Sequence, residues 1–197
     1  LQLAGGSFGK LDSDAYGKLN PNRMIPAIRD GDFALWESLS IVRYLCDQYS
    51  NGDLWPNCSK TKALADQWME WSASKAFTPV IQLFFATVRT APELRDRAKI
   101  EALCAQASAE LALLDKHLAT QDYVACEQFT MADIPLGCVA YRYFNLQVQR
   151  PSLPHLEAWY KRLCTRPAYQ DHVMRFFGTN PDQWQALEKA CAAEGVI

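Results

Sequence analysis

The chain has 197 residues, 49% of them hydrophobic and 21% charged, with a formal net charge of −2; this is the make-up of a soluble globular protein with one large domain or two small ones. That charge balance leaves no electrostatic footprint for nucleic acid or an anionic membrane surface. No apolar run approaches the roughly 18 residues of a membrane span.

The seven cysteines are odd in number and contain no C-x-x-C pair, a pattern that favours reduced thiols in a cytosol over a disulfide framework. His117, His155 and His172 lie too far apart in sequence for metal-ligand spacing, so no metal site is expected.

The chain opens on "LQL", already strand-like and without an initiator methionine. A leading segment is therefore expected before Leu1, a strand and helix on the order of 30 residues. "GGSFG", Gly5 to Gly9, reads as a flexible loop, because a phosphate cradle needs a strand-to-helix context that this stretch does not offer. "IPAIR" and "DFALW" then flank Asp30-Gly31, and Asp-Gly between two apolar segments predicts a two-residue hairpin. Pro26 cannot donate to a ladder, so it marks an edge, a bulge or a strand's first residue.

Ser38 is placed as the N-cap of a helix whose apolar face is Ile41, Leu45 and Tyr49, with Val42 and Tyr44 beside it. Residues 51–58 are rich in turn formers and read as a linker. From Ser59 to the end only helical patterns occur. Leu64, Trp68 and Trp71 share one face, and Pro79 is expected to bend or end that helix. Leu103, Ala107, Leu111, Leu114 and Leu118 form a long amphipathic stripe.

Two helix starts are more fully written. In "FTMADI", Thr130 is the expected N-cap and Asp133 the third helical residue, with Phe129 and Ile134 at the staple positions and a bend expected at Pro135. In "NPDQ", Asn180 caps, Pro181 takes the first helical position and Gln183 completes a second capping box. The reading is a small α/β domain over residues 1–50 and an all-helical domain over 59–197.

In that order and spacing, "LNPNRMIPAIRDGDFALWESLSIVRYL", "FTMADI" and "PHLEAWYKRLCTRPAY" resemble the cytosolic glutathione S-transferases of bacterial type. The resemblance implies an α+β, mostly α fold: a thioredoxin-like glutathione-binding domain, here lacking its first strand and helix, followed by the helical domain. It also implies a homodimer, a cytoplasmic location and glutathione as co-substrate. Pro26 would follow a cis peptide, so that Ile25 offers its N–H and C=O to the cysteinyl part of glutathione as a sheet edge would; taken alone, Pro26 reads equally as a trans proline at a strand edge.

Glu37 and Ser38, at a helix N-terminus that suits a carboxylate, would hold the zwitterionic γ-glutamyl end, while in their own right they read as a favourable first-turn charge and a cap. Arg23 stands where relatives carry a basic residue for the glycyl carboxylate, and equally reads as a solvated loop charge. The residue that activates the thiol, a Ser, Tyr or Cys in this family, is expected before Leu1.

The second substrate would be a small apolar electrophile held between the domains, with Ser74, Phe77 and Tyr141 as pocket residues or, equally, as ordinary core and interface positions. Ser74 replaces a histidine of the beta-class enzymes. The implied reaction is conjugation of the glutathione thiolate to that electrophile. A glutathione-dependent disulfide or peroxide reductase and a non-catalytic interaction module remain as alternatives.

Overall fold

The computed structural model describes residues 2–50 and 52–193, and the chain divides into two compact units, Leu1–Asn57 and Cys58–Ile197. In the first unit, a 3₁₀ turn at Gly6–Phe8 replaces the expected loop and is followed by α1 (Asp14–Leu19), β1 (Ala27–Asp30), β2 (Phe33–Trp36) and α2 (Ser38–Tyr49). Helix α1 went unread in the sequence because six residues with Gly17 in their midst show no apolar period. Its signals are at its ends: Ser13 accepts the Tyr16 N–H at 3.2 Å, and Asp14 and Lys18 lie at the poles they favour.

β1 and β2 are antiparallel, in the register Ala27↔Trp36, Ile28↔Leu35, Arg29↔Ala34, Asp30↔Phe33. Asp30 is thus a paired strand residue, and the two-residue loop is Gly31-Asp32, one residue later than expected. Gly31 takes the left-handed first loop position at φ 57° while Asp32 keeps a negative φ, the pattern of a type II′ turn with Gly leading. Pro26 lies immediately before β1, where its missing N–H costs the ladder nothing.

On α2 the buried residues are Ile41 and Cys46, whereas Leu45 and Tyr49 are exposed. The expected apolar face was wrong there because the tyrosines use their polar tips: Tyr44 and Tyr49 both donate their hydroxyls to Asp30 Oδ2.

The second unit contains α3 (Ser59–Trp71), a π turn (Ser72–Ala76), α4 (Phe77–Thr87), α5 (Arg97–His117), α6 (Asp133–Asn145), α7 (Pro154–Cys164), α8 (Pro167–His172) and α9 (Pro181–Ala193). Pro79 does not end the first of these. It sits third in α4, and the irregularity falls ahead of it in the π turn, where the Phe77 N–H reaches back to the Ser72 carbonyl. A proline ring clashes with the carbonyl four residues earlier, here that of Lys75, and the widened turn holds that residue.

Of the expected α3 face Trp68 is buried and Trp71 half-buried, whereas Leu64 is exposed, and α3 buries Ala65 and Met69 beside Trp68. Of the α5 stripe, Ala107, Leu111, Leu114 and Leu118 are buried as expected and Leu103 is half-buried, with α5 packed against α4 and α7. At the chain's far end, Asn180 Oδ1 accepts the Gln183 N–H at 3.0 Å while Gln183 accepts from the Thr179 N–H. The Trp184 ring of α9 lies 5.3 Å from that of Phe84, so α9 folds back on the α4–α5 core.

Candidate functional site

The first unit gathers its polar features at one end of the hairpin. Trp36 pairs with Ala27, so Glu37 and Ser38, which follow Trp36, emerge beside Pro26 and Ile25, which precede Ala27. The Ile25–Pro26 peptide is cis. Among the described residues no protein acceptor takes the Ile25 N–H and no donor meets its carbonyl, and the residue is 57% exposed. A free N–H and C=O on one extended residue suit an antiparallel peptide ligand.

Ser38 is the first residue of α2, and the cap position belongs to Glu37, at φ 72° and ψ 117° with no side-chain cap bond. The expected assignment was one residue late because Ser is the better N-cap type, whereas the sharp turn out of β2 puts Glu37 in the non-helical conformation. The first intrahelical bond of α2 runs from the Ile41 N–H to the Glu37 carbonyl. The N–H groups of the first turn are therefore unpaired by the helix, and with the dipole they favour an anion.

The loop between α1 and Ile25 is organised by Asn20, which is 2% exposed. Its Oδ1 accepts the Asn22 N–H at 2.9 Å, its carbonyl accepts the Arg23 N–H at 3.0 Å, and its Nδ2 donates to the Met24 carbonyl at 2.7 Å. Tyr16 donates its hydroxyl to that same carbonyl at 2.8 Å. The signal for this loop was the Asn-Pro dipeptide, a turn initiator, but nothing in the sequence named Tyr16 as its partner.

Arg23 has φ 54°, and its Nη1 donates to the carbonyls of Leu11 (2.9 Å) and Ser13 (3.0 Å). Its guanidinium lies over Gly17, with Nη2 2.9 Å from where a Cβ would stand. So Arg23 is neither a solvated charge nor a wholly free one: it ties its loop to the start of α1.

The remaining predicted residues belong to the second unit. Ser74 lies exposed in the π turn and Phe77, 47% exposed, opens α4. Tyr141 is buried on α6, with its ring 5.8 Å from that of Phe177. The structure thus sets Ser74 and Phe77 one turn apart and turns Tyr141 into the core. π turns recur at functional sites, which is the local feature of note at Ser74.

Thr130 and Asp133 make the reciprocal bonds of the expected capping box, the Thr130 N–H to Asp133 Oδ2 and the Ala132 N–H to Thr130 Oγ1 at 3.4 Å, but the regular helix starts later than expected. Asp133 is the first residue of α6, not the third, because the Thr130–Ile134 stretch is a tight turn of bonds from the Asp133 N–H to the Thr130 carbonyl and from the Ile134 N–H to the Met131 carbonyl. Pro135 therefore falls third in the helix, where no intrahelical N–H is needed, and α6 runs on through Asn145.

Asp133 Oδ2 accepts the Thr130 N–H at 2.8 Å, and Oδ1 accepts the Val124 N–H at 3.0 Å and the Trp159 Nε1–H at 2.9 Å. Burial holds its carboxyl above the usual range, and those donors offset only part of that rise. Phe129 packs on the Arg166 guanidinium at 3.7 Å and edge-on to Tyr123.

Burial pushes the Cys46 thiol up to about 11 and raises Cys138 as well, the reverse of what a reactive thiol needs. Cys58 differs. It is exposed at the start of α3, and hydrogen bonds from Thr61, then Lys60, hold it below its ordinary value. Among the described residues there is no cluster of His, Cys, Asp or Glu that would hold a metal ion, and no helix long and apolar enough to cross a membrane.

Residues 8–48 match the family described as Glutathione S-transferase, N-terminal domain, and residues 77–167 match Glutathione S-transferase, C-terminal domain. Glutathione S-transferase GstB of Escherichia coli (strain K12) is 37% identical over 174 residues, covering 87% of this chain and 84% of the relative. Glutathione S-transferase 3 of Zea mays is 32% identical, covering 79% and 72%.

The crystal structure of the theta class glutathione S-transferase from the citrus canker pathogen Xanthomonas axonopodis pv. citri, with glutathione bound, superposes with a TM-score of 0.84. It is 45% identical and covers 88% of this chain and 84% of that one. On sequence and fold together, this chain belongs to the glutathione S-transferase family.

Proposed function

We propose that the chain binds glutathione at the Ile25–Pro26 and Glu37–Ser38 end of the hairpin and transfers its thiolate to small apolar electrophiles. Ile25 takes the cysteinyl peptide group through its N–H and C=O. The N-terminus of α2 and the Ser38 hydroxyl take the γ-glutamyl carboxylate, and Glu37 pairs with the adjacent ammonium. Arg23 holds the loop that carries Ile25 and adds positive charge for the glycyl carboxylate.

In the reaction the glutathione sulfur forms a bond to an electrophilic carbon. In a substitution the leaving group departs with its electron pair, and the thiol proton goes to solvent. A thiol with pKa about 8.5 is only a few per cent ionised at pH 7. Lowering that value by about two units corresponds to roughly 2.7 kcal/mol of preferential thiolate stabilisation. Ser74 and Phe77 are assigned to the electrophile, with Tyr141 as the packing behind them. A second copy of the chain is the expected partner, which sedimentation would test.

The observation that carries this reading is the unpaired Ile25 N–H and C=O beside a helix N-terminus whose cap, Glu37, is held at positive φ. Calorimetric titration with glutathione tests it. Saturable binding is expected. Glu37→Ala should weaken it about 10- to 100-fold, the loss of a hydrogen bond to a charged group. Equal affinity in wild type and Glu37→Ala would overturn the assignment.

A further inference from the structure

We propose that Tyr16 and Asn20 are positioning residues for the Ile25 amide: together they clamp the Met24 carbonyl and thereby aim the Ile25 N–H at the peptide carbonyl of glutathione. This rests on the glutathione-binding reading above. The Met24 carbonyl and the Ile25 N–H belong to one peptide group. That peptide is not cis, so the two point to opposite sides of a rigid plane. Fixing the oxygen fixes the hydrogen.

The oxygen is fixed twice, by the Tyr16 hydroxyl at 2.8 Å and the Asn20 amide at 2.7 Å. Little else holds this peptide. Met24 is 65% exposed and Ile25 57%, so little core packing resists rotation of the plane between them. The cis bond to Pro26 constrains only the far side of Ile25.

Asn20 is built for the task. It is 2% exposed, and its other polar groups are committed to the Asn22 N–H and the Arg23 N–H, so its amide has one orientation that satisfies them all. The Tyr16 hydroxyl approaches from α1 and leaves the rest of its ring half-exposed. Two donors on a carbonyl also polarise the peptide group, which makes the N–H at its other end a stronger donor.

The discriminating variant is Tyr16→Phe, which keeps the ring and removes one of the two donors. Glutathione affinity by calorimetry and the amide-proton NMR shift of Ile25 are the two readouts. In wild type, saturating glutathione should move the Ile25 amide proton downfield. In Tyr16→Phe the affinity should fall about fivefold, the equivalent of one neutral hydrogen bond. The downfield shift should shrink, while the amides of Ser38 and Leu39 respond as in wild type.

Asn20→Asp keeps the acceptor for the Asn22 N–H but sets an oxygen against the Met24 carbonyl, and should weaken binding by more than about tenfold. If that variant does not fold, Tyr16→Phe decides alone. Unchanged affinity and an unchanged Ile25 shift in Tyr16→Phe would overturn the positioning role and leave the site standing. So would a loss of affinity shared equally by the Ser38 and Ile25 amides, which marks general disruption. No Ile25 response in saturated wild type would overturn the binding reading itself.

Discussion

Replacing Asp133 with Ala should cost the helical unit a large part of its stability, and the cost follows from the donors around it. The carboxylate is 0% exposed and is the acceptor for three N–H donors, those of Thr130, Val124 and the Trp159 indole, with the Thr130 hydroxyl as a longer fourth donor at 3.3 Å that can turn elsewhere. In either protonation state the three N–H groups point at it. Truncation leaves all three buried without a partner, at about 1–3 kcal/mol each. A water entering the space left by the carboxylate would recover part of that. The net expectation is about 3–5 kcal/mol, the range for removing one partner from a buried charged network.

Against a total stability of about 5–15 kcal/mol, this moves a urea midpoint by about 2 M at a slope near 2 kcal/mol/M. Trp159→Phe is the control. It removes one donor but strands none, because Oδ1 keeps the Val124 N–H, and it should cost only about 1 kcal/mol. Urea unfolding followed by circular dichroism measures both. A shift for Asp133→Ala no larger than that for Trp159→Phe would refute the argument that stranded donors, not lost bonds, set the cost.

Brief alkylation at neutral pH should label Cys58 first and Cys46 last, read by peptide mass mapping. With its thiol near 11, Cys46 is only about one part in ten thousand ionised at pH 7, so equal labelling would sink the assignment. The bond to Asp30 pushes the Tyr44 hydroxyl from 10.0 up to about 12. A group whose folded value is raised adds stability that is complete below pH 10.0 and lost as pH climbs through about 12. Alkaline phenolate absorbance should therefore show late-ionising tyrosine in wild type and ordinary titration in Asp30→Asn.

Asp30 itself is held below 3.8 by Tyr49, then Tyr44, so its contribution is present above pH 3.8 and lost as pH falls through its lower folded value. Acid unfolding of wild type and Asp30→Asn should diverge above that value and converge below it. Trp184→Ala should release α9 from Phe84 and Arg89 at a cost of about 1–3 kcal/mol for a half-buried aromatic, visible as a lower thermal midpoint.

Where the sequence was legible, one physical signal dominated. The α5 stripe was read correctly because 21 helical residues repeat an apolar period that only core burial explains. Asn180 and Pro181 were read correctly because a cap and a first-turn proline are local chemistry. The misses share a cause too. Asp30-Gly31 was placed as the turn because Asp-Gly is the stronger dipeptide, but Asp30 is held in the strand, where its carboxylate accepts two tyrosine hydroxyls from α2. Leu45 and Leu64 fit a helical period and yet are exposed. Periodicity tells which residues share a face, not which of two faces finds a partner.

The candidate site was legible as residue types and, through the resemblance, in the cis Ile25–Pro26 peptide, but not in the loop geometry around it. Ile25, Pro26, Glu37 and Ser38 stood out in sequence, but nothing there showed that Arg23 and Glu37 take the left-handed backbone. Three described non-glycine residues have positive φ, and two of them, Arg23 and Glu37, flank the Met24–Pro26 segment and the start of α2. Such conformations cost about 1–3 kcal/mol each and persist only where the surroundings enforce them.

The enforcement is visible at Arg23, whose N–H is held by Asn20 and whose guanidinium is held by Leu11 and Ser13. At Glu37 it comes from the requirement that β2 finish paired with β1 and α2 begin one residue later. Glycine would relieve both positions. The chain instead places a cation at one and a carboxylate at the other, the two charges that the proposed glutathione site sets against the glycyl carboxylate and the γ-glutamyl ammonium.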